Sequence, residues 1–248
     1  MPIRITPTVK ILLIVNLAIF LIQQTADQFM GGNLLGIFGL VPYQVVMSGW
    51  IWQLFTYAFL HGDVMHLFLN LLMLFFIGSE LEAVWGRSAF LKYFFFCSIF
   101  AGLVYLGMQV FIRGGLGVPM VGASGGIYGL LLAYGILFGE RTLLFMMLFP
   151  MKAKHFIWIL AGVEFMTSLY SRHGGLAAVA HLGGMVAGLI YLYGLTRLKV
   201  SQRDPNSWIN RVKNRKKTRR KRASHLKLVV GQDKSKSDDD DSTPPTWH

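Results

Sequence analysis

One cysteine in 248 residues rules out an intrachain disulfide and any cysteine metal cluster. Cys97 lies inside an apolar block and reads as a packing residue. Charge is scarce as well: 15% of residues are Asp, Glu, Lys or Arg against 54% hydrophobic, with a mean hydropathy of +0.49. Because the apolar residues fall in long blocks, this poverty of charge excludes a soluble domain and predicts an all-α polytopic membrane protein. No His-Glu-x-x-His pattern occurs, and no acidic pair sits on neighbouring blocks, so metal-assisted hydrolysis is disfavoured and no metal is expected. Gly122-Ala123-Ser124-Gly125-Gly126 matches the Gly-x-Ser-x-Gly of a nucleophile elbow, but that turn needs a strand before it. Residues 114–119 are glycine- and proline-rich loop instead, which excludes an α/β-hydrolase.

The net charge of +12 would point to nucleic acid if it covered a folded soluble surface. Most of the basic residues instead follow the last apolar block, from Arg197 to Lys227, so no nucleic acid is expected. A juxtamembrane basic run marks a cytoplasmic end and places the tail near anionic lipid. Asp238 to Asp241 then reverse the sign. Opposed charge blocks with few apolar residues predict disorder over 201–248, after a membrane domain over 1–200.

Six apolar stretches are candidates to span: residues 11–22, 61–77, 90–111, 123–138, 155–170 and 177–195. Between the first two, residues 27–60 carry no Lys or Arg, which places that loop outside, with Tyr43, Trp50, Trp52 and Tyr57 suited to the membrane–water interface. Residues 143–149, Pro150, Lys152 and Lys154 read as an interfacial segment on the inner side. Lys and Arg put both termini in the cytoplasm, so spans two, four and six all run from outside to inside. Their first residues then share one depth.

Those first residues are polar. Span two opens His61-x4-His66-x3-Asn70, span four carries Ser124, and span six carries Ala180-His181. In isolation the glycines around Ser124 read as small-residue helix packing. Three polar helix starts at one depth reverse that reading, because polar groups inside a membrane are costly and are functional candidates by default. His181 shares a helix face with Gly184 and Gly188, at i+3 and i+7. With Gly122, Gly125, Gly126 and Gly129 on span four, these glycines permit a close crossing that brings Ser124 within reach of His181. A hydroxyl beside an imidazole is the arrangement of a base-activated nucleophile. His66 and Asn70 share one face of span two, and their N–H donors, with the backbone N–H of Ser124, suit an oxyanion hole. His61 is about 140° around the helix from His66 and is assigned a structural, loop-anchoring role. Glu164 is the one acid well inside a predicted span. Its span runs the opposite way and nothing in the pattern pairs it with His181, so it reads as a helix-packing or cavity residue, leaving a Ser/His dyad.

These motifs resemble the rhomboid family of intramembrane serine proteases in its compact bacterial six-transmembrane form. The resemblance rests on His61-x4-His66-x3-Asn70, Gly122-x-Ser124-Gly125, Ala180-His181-x2-Gly184-x3-Gly188 and Gly78-x3-Glu82-x3-Gly86, and it covers the membrane part from Phe38 to Gly188. It implies a six-helix rhomboid-like bundle in a bacterial inner membrane. Ser124 would be the nucleophile and His181 the base, His66 and Asn70 would stabilise the oxyanion, and Tyr128 would pack beside His181. It also implies that no cofactor is needed and that the substrates are transmembrane proteins, cut near the outer end of their helix. One departure stands out: the family's first loop has Arg after Trp, whereas Gln53 follows Trp52 here. The expected consequence is the loss of a charged contact that helps fix the loop. Two other readings compete. A non-catalytic binder of unstable transmembrane helices would keep the glycine-packed fold without requiring Ser124. A small transporter would show an internal repeat with helices broken at the midplane, and no repeat is visible.

Overall fold

The computed structural model describes residues 4–113, 116–145, 149–171 and 175–201. The chain divides into two units, Met1–Leu195 and Thr196–His248. The architecture below belongs to the first apart from the end of the last helix, and of the tail expected to be disordered residues 202–248 lie outside the described residues.

Helix α1 (Pro7–Phe29) begins with Pro at its first turn, where a missing N–H costs nothing. Thr6 caps it without a side-chain bond to its own helix. The free N–H groups are instead met from another helix: the Glu82 carboxylate accepts from Thr8 N at 3.1 Å, from Val9 N at 2.9 Å and from the Thr6 hydroxyl. Along α1, Val9, Leu12, Asn16, Phe20 and Gln23 recur every three or four residues and are buried. The opposite face is apolar yet open, with Leu17 46% and Ile22 62% exposed, while Asn16 and Gln23 are 2% and 1% exposed. Polar inside and apolar outside is the pattern of a helix whose outer solvent is hydrocarbon.

The loop after α1 folds into three short helices, α2 (Leu34–Phe38), α3 (Pro42–Ser48) and α4 (Gln53–Thr56), followed by a 3₁₀ turn over Tyr57–Phe59. Gln53 is their hub. It is fully buried; its Oε1 accepts from Val41 N at 2.9 Å, and its Nε2 lies 3.0 Å from Gly36 O, 3.1 Å from Ile37 O and 2.5 Å from Gln44 Oε1. The expected loss of loop anchoring does not occur, because a neutral amide both accepts and donates where a guanidinium only donates.

The second long helix is α5 (Val64–Met73), a π-helical turn (Leu74–Gly78) and α6 (Ser79–Trp85), continuous over Val64–Trp85. It starts at Val64 rather than at His61. Asp63 caps it, accepting from His66 N at 2.8 Å, which leaves His61 in the preceding loop. The helical angle between His61 and His66 therefore has no meaning. The backbone of this residue, rather than its ring, ties the loop to α1: His61 O accepts from Gln23 Nε2 at 2.7 Å and His61 N donates to Gln23 Oε1 at 3.2 Å.

Next come α7 (Arg87–Met108), running on through a second π turn, and α8 (Ser124–Leu137). The segment read as interfacial on the inner side forms a two-stranded antiparallel hairpin, β1 (Thr142–Phe145) with β2 (Phe149–Lys152), with Thr142 opposite Lys152. The fold is therefore helical with one small β element. Helices α9 (Ala153–Tyr170) and α10 (Gly175–Ser201) complete it. Among the described residues four helices are long and apolar enough to cross a membrane: Pro7–Phe29, Val64–Trp85, Arg87–Phe111 and Gly175–Gly194. The 14 residues of α8 span only about 21 Å against a hydrocarbon core of about 30 Å. Helix α9 contains Lys154, His155 and Glu164 and is not among the four.

Helix α8 is the axis of the bundle. It packs most extensively on α7 and also meets α9, α5 and the first π turn. Eight of its 14 residues are buried, including Ile127, Leu130, Leu131 and Tyr134. A helix enclosed by others needs no lipid-facing length of its own.

Candidate active site

The first turn of α8 is built by the loops before it. Leu40 and Met120 exchange two backbone hydrogen bonds of 2.9 Å, which pins the strand-like approach to Ser124 against the α2–α3 loop. Gly122 then takes φ +117°, a conformation that L side chains rarely adopt, and its N–H donates to Tyr57 O at 2.9 Å. Two residues on, Ser124 opens the helix, so its own N–H is among the first-turn amides without an intrahelical acceptor.

Helix α10 meets this turn with almost no separation. A methyl group added to Gly184 would strike the carbonyl oxygen of Gly125, and one added to Gly188 would strike the Tyr93 hydroxyl and lie 3.4 Å from Gly129 Cα. The glycines of α8 do not all serve this crossing. Gly126 is covered by Ser98 and Phe94 of α7, and Gly129 lies over Cys97 of α7 as well as facing Gly184 O. Cys97 is fully buried there, as its apolar block predicts.

The close crossing brings Ser124 Oγ to 2.8 Å from His181 Nε2. The Tyr128 ring, one turn further along α8, stacks on the imidazole with centroids 4.2 Å apart and planes within 6°. A cavity of about 90 Å³ opens beside this pair, lined by Tyr57, His66, Val121, Ser124, Ala180 and His181 among others. Such a volume admits water to the hydroxyl. From α5, His66 Nε2 and Asn70 Nδ2 point at the same turn: a methyl on Gly122 would sit 2.6 Å from the first and 3.6 Å from the second. Glycine at 122 thus leaves room for the His66 ring. Asn70 is buried, and its Nδ2 has no hydrogen-bond partner among the described residues. An unused buried donor is costly and awaits an acceptor.

His61 packs edge-on against His66 with centroids 5.2 Å apart and does not line the cavity. Burial, reinforced by the neighbouring His66, pushes its pKa down from 6.5 to about 4. It therefore stays neutral at physiological pH. Among the described residues no group of three or more His, Cys, Asp or Glu is placed to hold a metal ion.

Glu164 departs from the sequence reading. Its Oε1 lies 3.1 Å from His181 Nδ1 and accepts a hydrogen bond from the Tyr128 hydroxyl. A signal was present. Glu164 lies six residues before the end of α9 and His181 six residues after the start of α10, so each stands about 9 Å along its helix from those two ends.

A rhomboid domain model matches residues 48–198, more than half of the chain. The chain belongs to the rhomboid family. The mitochondrial rhomboid protein 1 of Saccharomyces cerevisiae is 29% identical over 147 residues, 59% of this chain and 42% of that protein. Rhomboid protease GlpG of Yersinia pseudotuberculosis and of Yersinia pestis is 28% identical over 158 residues, 63% of this chain and 52% of theirs. The chain spans about half the length of these curated relatives. Its rhomboid domain contains His66, Asn70, Ser124, Tyr128, Glu164 and His181, while α1 and the tail fall outside it. With its apolar helices, this rhomboid protein is an integral, multi-pass membrane protein.

Proposed function

We propose that this chain is an intramembrane serine endopeptidase that hydrolyses transmembrane protein substrates near the outer end of their helix. The observation that carries the reading is the 2.8 Å contact between Ser124 Oγ and His181 Nε2, made between two helices inside an apolar bundle and open to a cavity. The name of the GlpG relatives, rhomboid protease, agrees with it.

In the mechanism His181 Nε2 takes the Ser124 proton as Oγ attacks the scissile carbonyl carbon. The tetrahedral oxyanion forms beside the N–H of Ser124, with His66 Nε2 and the unpartnered Asn70 Nδ2 as the side-chain donors. His181 then gives its proton to the leaving amine, and the acyl group remains on Ser124. A water deprotonated by His181 attacks the ester and frees the enzyme. The glycine contacts at Gly125, Gly184 and Gly188 serve this by holding the crossing closed.

The same reading puts six spans in a bacterial inner membrane with both termini cytoplasmic and the site near the outer face. The Lys and Arg distribution supports that orientation, and enclosure by other helices accounts for the shortness of α8. Residues 1–200 are then the enzyme, and the basic tail lies along anionic lipid. A membrane-anchored reporter incubated with the purified full chain in liposomes tests the reading. The wild type cuts; Ser124→Ala and His181→Ala lose roughly 10³-fold or more while melting normally. Equal cutting by Ser124→Ala overturns it and leaves a helix-binding role.

A further inference from the structure

The membrane interior makes an ionised side chain expensive, so Glu164 needs an explanation that helix packing does not supply. Its partners supply one. A carboxylate only accepts hydrogen bonds, so both groups facing Oε1 must donate: the Tyr128 hydroxyl and His181 Nδ1. A proton on Nδ1 leaves Nε2 of the neutral ring bare, and Nε2 is the atom 2.8 Å from Ser124 Oγ. One carboxylate oxygen thereby selects the tautomer that accepts the serine proton. Tyr128 fastens the arrangement twice, by donating to Glu164 and by stacking on the imidazole it orients.

We infer that Glu164 is a positioning residue that makes the Ser124–His181 pair a three-membered relay, fixing the His181 tautomer and balancing the charge when the ring becomes an imidazolium. This rests on the serine-protease reading above. During attack the Ser124 proton moves to Nε2 as the Oγ–carbon bond forms, and the Nδ1 proton stays on His181 rather than crossing to Glu164. The carboxylate touches no reacting atom. Its contribution is the orientation of the base and the field around it. Tyr128 in turn positions Glu164.

The test uses the full chain in lipid nanodiscs, with two readouts. The first is reporter cleavage by the wild type, Glu164→Gln and Glu164→Asp. An amide at 164 can still accept from Nδ1 but lacks the negative charge that balances the imidazolium, so Glu164→Gln loses about 10²-fold in kcat with KM within threefold of wild type. Glu164→Asp, one methylene shorter, recovers at least tenfold over Gln. The second readout needs no turnover: the ¹⁵N spectrum of histidine-labelled chain, with His181 assigned by difference from His181→Gln among the seven histidines. The wild-type ring carries its proton on Nδ1, and Glu164→Leu, which leaves Nδ1 no acceptor at 164, releases it to Nε2. A kcat for Glu164→Gln within threefold of wild type, or a wild-type ring protonated on Nε2, overturns the inference. Wild type and Ser124→Ala cutting alike would instead sink the protease reading, and the tautomer would still decide what Glu164 does.

Discussion

Asn70 and Gln53 are both buried amides, and they predict opposite behaviour. Asn70 Nδ2 has no partner among the described residues, so Asn70→Ala removes a donor from the oxyanion while disturbing little of the resting fold. The expected result is a loss of about 10²-fold in kcat with an unchanged melting temperature, measured by reporter cleavage and thermal unfolding. Gln53 is satisfied on every side, and neither Leu nor Arg replaces it. Gln53→Leu strands Val41 N–H and the Gly36 carbonyl, leaving Ile37 O with Trp52 Nε1 alone, and Gln53→Arg brings a cation that offers Val41 no acceptor. Each costs roughly 2–4 kcal/mol, read from denaturant or thermal melts; restored or raised stability in Gln53→Arg would contradict the hub. His61 sets the pH dependence. Its folded pKa of about 4 lies below its ordinary 6.5, so the unfolded chain binds the proton first as pH falls. Stability is fully present above about pH 6.5 and drains away toward pH 4, by at most about 3 kcal/mol. Melting temperatures across that window fall less steeply in His61→Gln if the assignment is right. Residues of this kind differ in how openly the sequence shows them. Ser124, His181, His66 and Asn70 stand out because polar side chains are rare in apolar blocks. Gln53 does not, because its partners lie in irregular loops with no period to read. Glu164 stands out but shows no partner until depth is counted from the end of α9 and the start of α10.

At the scale of elements, the α8–α10 crossing decides whether the two halves of the site meet. Gly184→Ala forces the helices apart, since the new methyl meets a backbone carbonyl that cannot swing away. It should cost about 1–3 kcal/mol and reduce cleavage more than tenfold, and fluorophosphonate labelling of Ser124 should slow with it. An Ala variant that labels at the wild-type rate would show that the crossing has slack. Helix positions are largely legible from hydropathy, whereas helix ends are not. The second helix begins at Val64 because Asp63 caps it, a signal hidden among the histidines on either side. It ends at Trp85, beyond the apolar run, because Glu82 is drawn inward to hold the first turn of α1. The β1–β2 hairpin was unreadable for a different reason: Pro150 sits in a two-stranded edge, where a missing N–H breaks no sheet.

For the molecule as a whole, the solitary buried cysteine provides a background free of native labelling. Cys97 should resist maleimide in the folded protein, so cysteines placed at Gly31 and Ser201 report sidedness directly. In intact cells Gly31→Cys should label at once and Ser201→Cys only after permeabilisation; labelling of both from outside would overturn the proposed topology. The long helix that carries both His66 and Glu82 joins the two sides of the protein. Its upper part aims donors at the Ser124 turn, and its lower part clamps the start of α1. Between them the π turn at Leu74–Gly78 accommodates one more residue than an α-helical turn would, a phase offset of about 100°. Closing that turn to α-helix with its residue count unchanged would leave both half-helices intact and set them about 100° out of step, so that a chain with its site correctly aimed would lose its grip on α1. The extra residue works as a key between two locks, and the two ends of the helix are kept in time by the turn that absorbs it.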